Sequence, residues 1–349
     1  MKSKSIFILL FLFLSIIIFN SFIQDNPYFK ITKEEVELKI PKGFPKPIYD
    51  FNKNKLTPEG FVLGRKLFYD PILSKDSSTS CSSCHQRIAA FAHIDHPLSH
   101  GINGMIGKRN VMSLQNLIWR DAFMWDGGVN NLEVQPINPI TNPIEMDEIL
   151  SNVVVKLKHN KEYVEAFYSA FHDNTINSER ILKSLAQFTG LMISSDSRLD
   201  RYKEGKETFT VTELNGLKLF QTKCANCHAG ALLTDNSYRN NGLKADTALR
   251  DKGRAIITGK DEDNNKFKVP TLRNIEMTYP YMHDGRFRNL QQVINHYADP
   301  KNFDKGYDLS LNKIGVLTEK EKGELIAFLK TLTDKVFLYD RRFADPNIR

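Results

Sequence analysis

The chain has 349 residues, of which 41% are hydrophobic and 26% charged, and its formal net charge at pH 7 is +7. This length is enough for two domains of ordinary size, and the composition is that of a globular protein without low-complexity tracts. Because the lysines are spread along the chain and no run of five like charges occurs, the charge predicts a solvated basic surface and gives no sign of a nucleic-acid partner.

The N-terminus has the features of an export signal. Lys2 and Lys4 precede a 14-residue apolar run from Ile6 to Phe19, which has the charge order and the size of a signal peptide. The run is shorter than the roughly 20 residues that cross a bilayer, yet no small-residue cleavage site of the A-x-A type follows it. We therefore predict that residues 1–24 are a signal peptide or an N-terminal anchor and that the protein works in the periplasm.

The first predicted domain spans residues 45–200 and contains a Cys-x-x-Cys-His motif. A helix is expected to begin near Thr57, because Thr57-Pro58-Glu59 combines a capping side chain with a proline in the first turn. The helix runs through GRKLF (64–68) and leads to the motif formed by Cys81, Cys84 and His85. Further helices are predicted over NNLEVQ (130–135), EMDEILSNVVVKLK (145–158) and SERILKSLAQFTGLMIS (178–194).

The second predicted domain spans residues 205–340 and repeats this arrangement. A polar, charged stretch over residues 195–212 marks the boundary between the domains. A helix then opens near Thr212-Glu213 and runs through GLKLF (216–220) to a second motif, Cys224, Cys227 and His228. The two units form a loose internal repeat, which predicts two related domains.

The two cysteine pairs could form disulfides, a zinc site or haem attachment sites. A disulfide does not need a histidine directly after each pair, and a zinc site would require the pairs to meet in space although more than a hundred residues separate them. Cys-x-x-Cys-His is the attachment motif of haem c, in which two thioethers hold the haem and the histidine binds its iron. Two covalently bound haem c groups are the favoured interpretation, with disulfide or zinc as the alternatives. Because few alternating runs occur, the predicted fold class is mainly α, with two cytochrome c-like haem domains and long loops.

Nearly everything from Leu56 to Tyr297 resembles the bacterial dihaem cytochrome c peroxidases, the family that includes MauG. Besides the haem motifs, the likeness rests on five segments: GKRNVMSLQN (107–116), FMWDG (123–127), NPIEM (142–146), VPTLRNIEMTYPYMHDG (269–285) and the NHY that follows (295–297). The resemblance implies that the first haem reacts with peroxide and that the second transfers electrons.

The resemblance also implies roles for single residues. Glu145 of NPIEM corresponds to the family's distal acid–base residue, and Gln135 to a second polar residue of the same pocket. Trp125 corresponds to the tryptophan between the two haems, although Gly128 stands where the family often has arginine. A carboxyl in an apolar haem pocket can have its pKa raised into the range that proton transfer needs.

The resemblance implies further metal ligands. The residue fourteen positions after His283 is Tyr297, where the electron-transferring peroxidases have methionine and MauG has tyrosine. Tyr297 is therefore the predicted distal ligand of the second haem, with Met277, Met282 and His296 as competitors. Oxygen ligands around a calcium ion are implied at Asn110, Thr278 and Pro280.

The first haem is predicted to have an open iron site. Peroxidases that need pre-reduction have a blocking histidine eight residues before the asparagine of GxRN, and this position is Ile102. The same loop contains His93, His96 and His100, which we interpret as solvated or capping side chains, with His100 as an alternative iron ligand.

The expected activity is the reduction of hydrogen peroxide to water by a periplasmic dihaem peroxidase. Its expected electron donor is a small redox protein, a cytochrome c or a cupredoxin, and a homodimer is the usual assembly in such families. Two other functions stay open on the sequence: a MauG-like oxidase that uses peroxide to modify a partner, and a cytochrome that only transfers electrons.

Overall fold

The structure is a computed structural model, and it describes residues 31–347. The predicted signal peptide or anchor, residues 1–24, lies outside this range. Within residues 31–347, no helix combines the length and the apolar character that crossing a membrane would require.

The regular structure of the described residues is helical apart from one small sheet. The first half contains α1 to α6: Pro58–Tyr69, Cys81–Cys84, Ile137–Thr141, Leu150–Lys158, Lys161–Phe171 and Ser178–Gly190. The second half contains α7 to α12: Arg198–Lys203, Val211–Lys223, Ala255–Thr258, Leu290–Tyr297, Glu319–Lys330 and Lys335–Tyr339. Strands β1 (Tyr238–Arg239) and β2 (Phe267–Lys268) pair antiparallel, with Tyr238 opposite Lys268. Short 3-10 turns cover Phe51–Lys53, Pro71–Leu73, Arg87–Ala89, Ile102–Gly104, Leu117–Trp119, Asp261–Asp263, Ile275–Met277, Pro300–Asn302, Leu309–Lys313 and Arg341–Phe343.

One predicted helix start is confirmed, and the other lies two residues earlier than predicted. Thr57 caps α1, since its side chain accepts a hydrogen bond of 3.0 Å from the amide of Gly60. Helix α8 is capped by Thr210, two residues before the predicted threonine, because Thr210 and Glu213 bond each other's backbone amides as a capping box.

The predictions between residues 130 and 158 were partly wrong. NNLEVQ is not helical: residues 132–136 form turns, and α3 begins only after Pro136. The next predicted helix begins at Leu150 instead of Glu145, which leaves the NPIEM segment as irregular backbone. Proline limits the conformation of the residue before it, and short polar segments lack the periodic apolar face that fixes a helix.

The two halves share one mode of helix packing. Helix α1 packs on α6 through Gly64, where an added Cβ would lie 1.9 Å from the carbonyl oxygen of Ser184. Helix α8 packs on α11 through Gly216, where an added Cβ would lie 2.0 Å from the carbonyl oxygen of Glu324. The two glycines occupy the same place in GRKLF and GLKLF, so the internal repeat seen in the sequence is a repeated helix contact.

The hydrophobic core is divided into two main clusters. The first contains Phe61, Phe91 and Phe188 from the first half, and the second contains Phe220 and Phe328 from the second half. A smaller satellite cluster surrounds Trp119, Phe123 and Leu132. The mainly α, two-part fold predicted from the sequence is confirmed.

The C-terminal segment packs into the first cluster, not the second. Phe337 of α12 and Phe343 are 3% and 1% exposed and belong to the cluster around Phe61 and Phe91. The ring centroids of Phe91 and Phe337 are 6.0 Å apart, and those of Phe61 and Phe343 are 6.1 Å apart. The chain therefore returns to its first half after completing the second.

A buried polar seam joins the two halves. The Gln115 side chain donates to the Arg273 carbonyl at 2.6 Å, and the Asn274 side chain donates to Ser194 Oγ at 2.9 Å and to Gln115 Oε1. Asp334 donates its amide to Asn274 Oδ1 at 2.7 Å and accepts from Ser194 Oγ at 2.9 Å. Buried polar groups that satisfy one another fix a single arrangement of the elements that carry them.

Candidate active site

The first half contains a cavity, called here the first cavity, with about 1550 Å³ of empty space. Its walls include Cys84 and His85 of the first cysteine motif together with Gln135 and Glu145. The structure thus brings together residues that are up to sixty positions apart in the sequence and that the resemblance assigned to one pocket.

His85 is fixed in the orientation of a metal ligand. Its Nδ1 donates a hydrogen bond of 2.7 Å to the carbonyl oxygen of Phe91, so Nε2 is the nitrogen left to bind a metal. Burial lowers the pKa of His85 to about 4, so the ring is neutral at ordinary pH and Nε2 presents its lone pair.

Glu145 is a half-buried carboxyl in this cavity. Burial raises its pKa above the ordinary value, while a hydrogen bond of 3.2 Å from the Asn142 side chain to Glu145 Oε1 opposes the shift. The backbone holds the residue in place as well, since Ile102 donates its amide to the Glu145 carbonyl at 2.8 Å. Gln135 lies at the same wall, 3.8 Å from Met124 Sδ through its amide nitrogen. The cavity therefore brings together an imidazole whose Nε2 is free and a carboxyl of raised pKa.

The second half contains the second cavity, with about 1500 Å³ of empty space. Cys224, Cys227 and His228 of the second motif line it together with Tyr297 of α10. His228 Nδ1 donates to the Leu233 carbonyl at 3.2 Å, which again leaves Nε2 for a metal. Each cysteine motif thus faces a large cavity of its own.

Tyr297 and Met282 share one hydrogen-bond donor at the wall of the second cavity. The Asn241 side chain donates to Tyr297 Oη at 3.1 Å and to Met282 Sδ at 3.4 Å. His296 is turned to another partner, because its Nε2 donates to the Asn241 carbonyl at 3.0 Å. Burial raises the pKa of Tyr297 to about 12, so its phenol keeps its proton unless a cation at the oxygen displaces it.

A thin wall separates the two cavities. The segment from Asn110 to Ser113 lines both of them, as do Arg120 and Trp125. The Trp125 indole donates to the Asn110 carbonyl at 2.8 Å, and Trp125 is only 9% exposed. Trp125 therefore lies in the wall between the two cavities, and its place between two haems stays a prediction. Thr278 and Pro280 line the second cavity, as Asn110 does.

Arg120 is a site residue that the sequence analysis missed. Its guanidinium donates to the carbonyls of Ser113 and Gln115, both at 3.2 Å, and among residues 31–347 it forms no ion pair with a carboxylate. Burial lowers its pKa to about 10. A haem propionate in either cavity would give this guanidinium an anionic partner. The available sequence signal was an arginine inside the aromatic-rich run LIWRDAFMW (117–125).

A second missed feature is a charged cluster around Arg109 at the edge of the first cavity. Arg109 bonds Asp126 at 2.5 Å and Asp251 at 2.6 Å, and these two carboxyls raise the pKa of its guanidinium above the ordinary value, against the effect of burial. The pairs join the loop before Trp125 to the long loop that follows β1. Nothing in the local sequence links Arg109 to Asp251, because 142 residues separate them.

The histidine-rich loop lies outside the first cavity. Ile102 is 3% exposed, and Ser99 is the residue of this stretch that reaches the cavity wall. His93, His96 and His100 are gathered against one another, and His93 is only 2% exposed. The interpretation of all three as solvated or capping side chains is therefore wrong for His93, which the fold of the loop buries.

The donor sets fit haem c. The four thiols form no disulfide, and among the described residues they take part in no cluster that could hold a single metal ion. Cys84 and His85 instead line one large, mainly apolar cavity, and Cys224, Cys227 and His228 line another. Fold and site together define a c-type cytochrome with two haem-binding halves.

Comparison with known proteins supports the assignment to the c-type cytochromes and identifies a family within them. The family described as di-haem cytochrome c peroxidase matches residues 58–208, and the cytochrome c family matches residues 214–333. The methylamine utilization protein MauG of Methylorubrum extorquens is 35% identical over 309 residues, which cover 85% of this chain and 84% of that protein. The cytochrome c551 peroxidase of Nitrosomonas europaea is also 35% identical, over 80% of this chain and 82% of that protein.

A solved structure agrees over nearly the same length. A MauG-like protein associated with microbial copper homeostasis superposes with a TM-score of 0.82 at 32% identity, covering 89% of this chain and 99% of that one. The chain belongs to the dihaem cytochrome c peroxidase and MauG family, whose cofactors are two haem c groups.

Proposed function

We propose that this protein reduces hydrogen peroxide to water with electrons from a small redox protein. The observation that supports this most directly is that His85 and Glu145, a metal-binding imidazole and a carboxyl of raised pKa, line the same cavity. The reaction consumes one peroxide, two electrons and two protons, and it yields two water molecules.

Glu145 is the proposed proton carrier. Uneven cleavage of the O–O bond requires a proton to move from one peroxide oxygen to the other, which leaves as water. The raised pKa of Glu145 lets its carboxylate take that proton and return it, and Asn142 holds the carboxyl in place. Gln135, at the same wall, is proposed to donate a hydrogen bond to the bound peroxide. Haem c at His85 would supply the iron that binds peroxide, and haem c at His228 the store of electrons.

Trp125 is the proposed bridge for electrons between the two cavities. Its ring lines both of them, and its hydrogen bond to the Asn110 carbonyl fixes its position in the wall. An indole can also give up an electron itself, so one oxidising equivalent can be taken from Trp125. Electrons from the donor, a cytochrome c or a cupredoxin, are proposed to enter at the second cavity.

The first test is rapid mixing of the fully oxidised holoprotein with one equivalent of peroxide while the Soret band is recorded. We expect a prompt change without pre-reduction, because Ile102 occupies the position of the blocking histidine and is buried outside the cavity. A band that changes only after one electron is supplied would contradict an open first site and would point to a hidden ligand such as His100. Steady oxidation of a reduced small cytochrome in the presence of peroxide tests the peroxidase activity itself.

A MauG-like oxidase is the second candidate, and two residues favour it. Ile102 leaves the first site open, and an anionic Tyr297 ligand would hold the second haem ferric. Both features favour a stable doubly oxidised protein that acts on a partner. Slow consumption of reduced cytochrome, together with long-lived oxidation by peroxide, would support this function over the peroxidase.

A calcium ion is proposed beside the wall between the cavities. Asn110, Thr278 and Pro280 all line the second cavity, and their side-chain and carbonyl oxygens would suit calcium. Elemental analysis of the holoprotein should find one calcium per chain, and its removal by a calcium chelator should slow the reaction with peroxide.

We further propose a periplasmic location and a homodimeric assembly. The apolar N-terminal segment and the two haem c motifs support a periplasmic protein, either free or held by an uncleaved anchor. Cell fractionation tests the location, and N-terminal sequencing of the mature protein tests cleavage. A homodimer is the proposed assembly, which light scattering of the purified holoprotein would detect.

A further inference from the structure

Three histidines of the loop after the first haem motif converge on one point. The ring centroids of His93 and His96 lie 5.3 Å apart, those of His93 and His100 4.9 Å, and those of His96 and His100 4.8 Å. Each ring offers one nitrogen such that all three nitrogens lie within 4.8 Å of one another. Nitrogens bound to one tetrahedral zinc ion are roughly 3.3 Å apart. Small rotations of the side chains would therefore bring them to a common ion.

One buried ring nitrogen of His93 lacks a hydrogen-bond partner. The residue is 2% exposed, and its Nδ1 is buried without any hydrogen-bond partner. Its other nitrogen, Nε2, lies 3.8 Å from the carboxylate of Asp95, which in turn accepts a hydrogen bond of 2.6 Å from Gln86. A buried nitrogen without a partner is uncommon in folded proteins. Metal-bound histidines commonly have one nitrogen on the metal and the other near a carboxylate, which is the arrangement His93 offers.

The backbone of the loop is held by contacts that do not involve the histidine rings. Ser99 donates its amide to the Arg109 carbonyl at 2.9 Å, and Gly107 donates to the Ser99 carbonyl at 2.7 Å. The Asn110 side chain donates to the Pro97 carbonyl at 2.9 Å, and Gly101 donates its amide to the Met105 carbonyl at 2.9 Å. The loop is therefore arranged before any ion binds, and the entropy lost on binding is small.

The three rings also differ in exposure, and this difference would let a metal ion reach them from solvent. His93 is buried, His100 is half-buried and His96 is exposed, so an ion can enter from the side of His96. Solvent on that side would provide a fourth ligand. Three neutral imidazoles suit zinc, copper or nickel, whereas calcium and magnesium prefer oxygen.

We propose that the loop after the first haem motif binds one divalent transition-metal ion through His93, His96 and His100, with a fourth position open to solvent. This site is separate from the two haem cavities, neither of which any of these histidines lines.

The site is close enough to act on the first haem. The loop contacts the first haem motif directly, since Cys84 Sγ lies 3.2 Å from the carbonyl oxygen of His100. A dication beside the proximal ligand favours the reduced, less positive iron. Metal binding is therefore expected to raise the reduction potential of the first haem and to leave that of the second almost unchanged.

The test uses the dihaem holoprotein after treatment with a chelator, with Zn²⁺ as the probe in a calorimetric titration. We expect the wild type to bind one Zn²⁺ per chain. The His96→Ala variant should bind Zn²⁺ with an affinity lower by about 100-fold or more, since loss of a residue that only hydrogen-bonds a metal ligand already lowers metal affinity by about 10- to 100-fold. His159→Ala is the matched control, because His159 is an exposed histidine at the end of α4. Equal binding by the wild type and His96→Ala, or no binding by the wild type, would overturn the proposal.

Zinc X-ray absorption of the wild-type complex gives an independent answer that needs no variant. We expect three imidazole nitrogens and one oxygen at about 2.0 Å, and fewer than two imidazoles would refute the site. A spectroelectrochemical titration with and without Zn²⁺ then tests the coupling. An upward shift confined to the first haem is expected in the wild type and in His159→Ala, but not in His96→Ala.

Discussion

Glu145 is the residue on which the proposed peroxide chemistry depends most. We expect Glu145→Gln to lower the rate of the reaction with peroxide by about 10²- to 10⁴-fold, the usual contribution of a general acid–base group. The haem content should not change, because the variant keeps the side-chain shape. Rapid-mixing absorbance measures the rate. Glu165→Gln, at an exposed position of α5, is the control and should react like the wild type.

The pH dependence of the same reaction has a predicted sign. The carboxylate form of Glu145 takes the proton, so the rate should fall as the pH drops through the pKa of Glu145. Because burial raises this pKa, the fall should occur above the ordinary glutamate range near about 4.3. The inflection should disappear in Glu145→Gln. An inflection that persists there would assign the proton transfer to another group.

Trp125 and Trp119 form a matched pair for testing the electron path. Both indoles donate to a backbone carbonyl, Trp125 to Asn110 at 2.8 Å and Trp119 to Pro45 at 2.7 Å, but only Trp125 lines the two cavities. Each change to phenylalanine should lower the free energy of unfolding by about 1 kcal/mol through the lost hydrogen bond. Only Trp125→Phe should slow electron transfer between the haems after peroxide is added. Similar slowing in both variants would mean that packing, not the position of Trp125, matters.

Tyr297 and Met282 can be distinguished as ligands of the second haem because Asn241 contacts both. If Tyr297 binds the iron, Tyr297→Phe should change the spectrum of the second haem and raise its reduction potential, since an anionic ligand is lost. Met282→Leu should then leave both properties unchanged. Spectroelectrochemistry of the two variants measures this, and the opposite result would make Met282 the ligand.

The sequence marks candidate residues where a motif contains them, and it misses residues that only the fold brings together. The haem motifs and Glu145 follow from local patterns, and the structure places His85 and Glu145 at one cavity. The clustering of the three loop histidines, the isolated charge of Arg120 and the pair of Arg109 with Asp251 depend on contacts between distant segments. Such contacts have no local signature in a single sequence.

At the scale of elements, the close helix contacts of Gly64 and Gly216 are the feature common to both halves. We expect Gly216→Ala to lower the free energy of unfolding by about 1–3 kcal/mol, because its Cβ would overlap the Glu324 carbonyl and push α8 away from α11. Gly323→Ala, on the exposed side of α11 with nothing within 4 Å of the added Cβ, should instead stabilise by about 0.5–1 kcal/mol. Denaturant unfolding of the holoproteins measures both. Equal effects would contradict the close contact at Gly216.

The helix predictions succeeded where capping and packing agree. Helices α1 and α6 have capping side chains and a buried face, so sequence and packing agree about them. NNLEVQ has neither feature; its side chains instead supply single contacts to the first cavity and to the satellite core, as Gln135 and Leu132 do. A segment whose residues each make a separate contact to a site needs no regular secondary structure.

For the whole molecule, the return of the C-terminal segment makes the stability of the first half depend on the end of the chain. Phe343 is 1% exposed within the first cluster, and Tyr69 Oη donates to its carbonyl at 2.6 Å. Phe343→Ala should therefore lower the free energy of unfolding by about 3–5 kcal/mol. Tyr339→Ala, at a 67% exposed position of α12, should have little effect. Thermal unfolding followed through the first haem's absorbance would show the difference, and an equal loss in both variants would argue against this dependence.

The first haem motif is synthesised well before the residues that complete the core beside it. Cys81 and Cys84 emerge from the ribosome roughly 250 residues before Phe343, which at ordinary rates of synthesis is roughly 10–50 s earlier. Until Phe337 and Phe343 arrive, the aromatic cluster beside the first motif lacks two of its rings. A polypeptide that ended before Phe337 would therefore contain every residue of the first haem motif beside a core that lacks part of its packing.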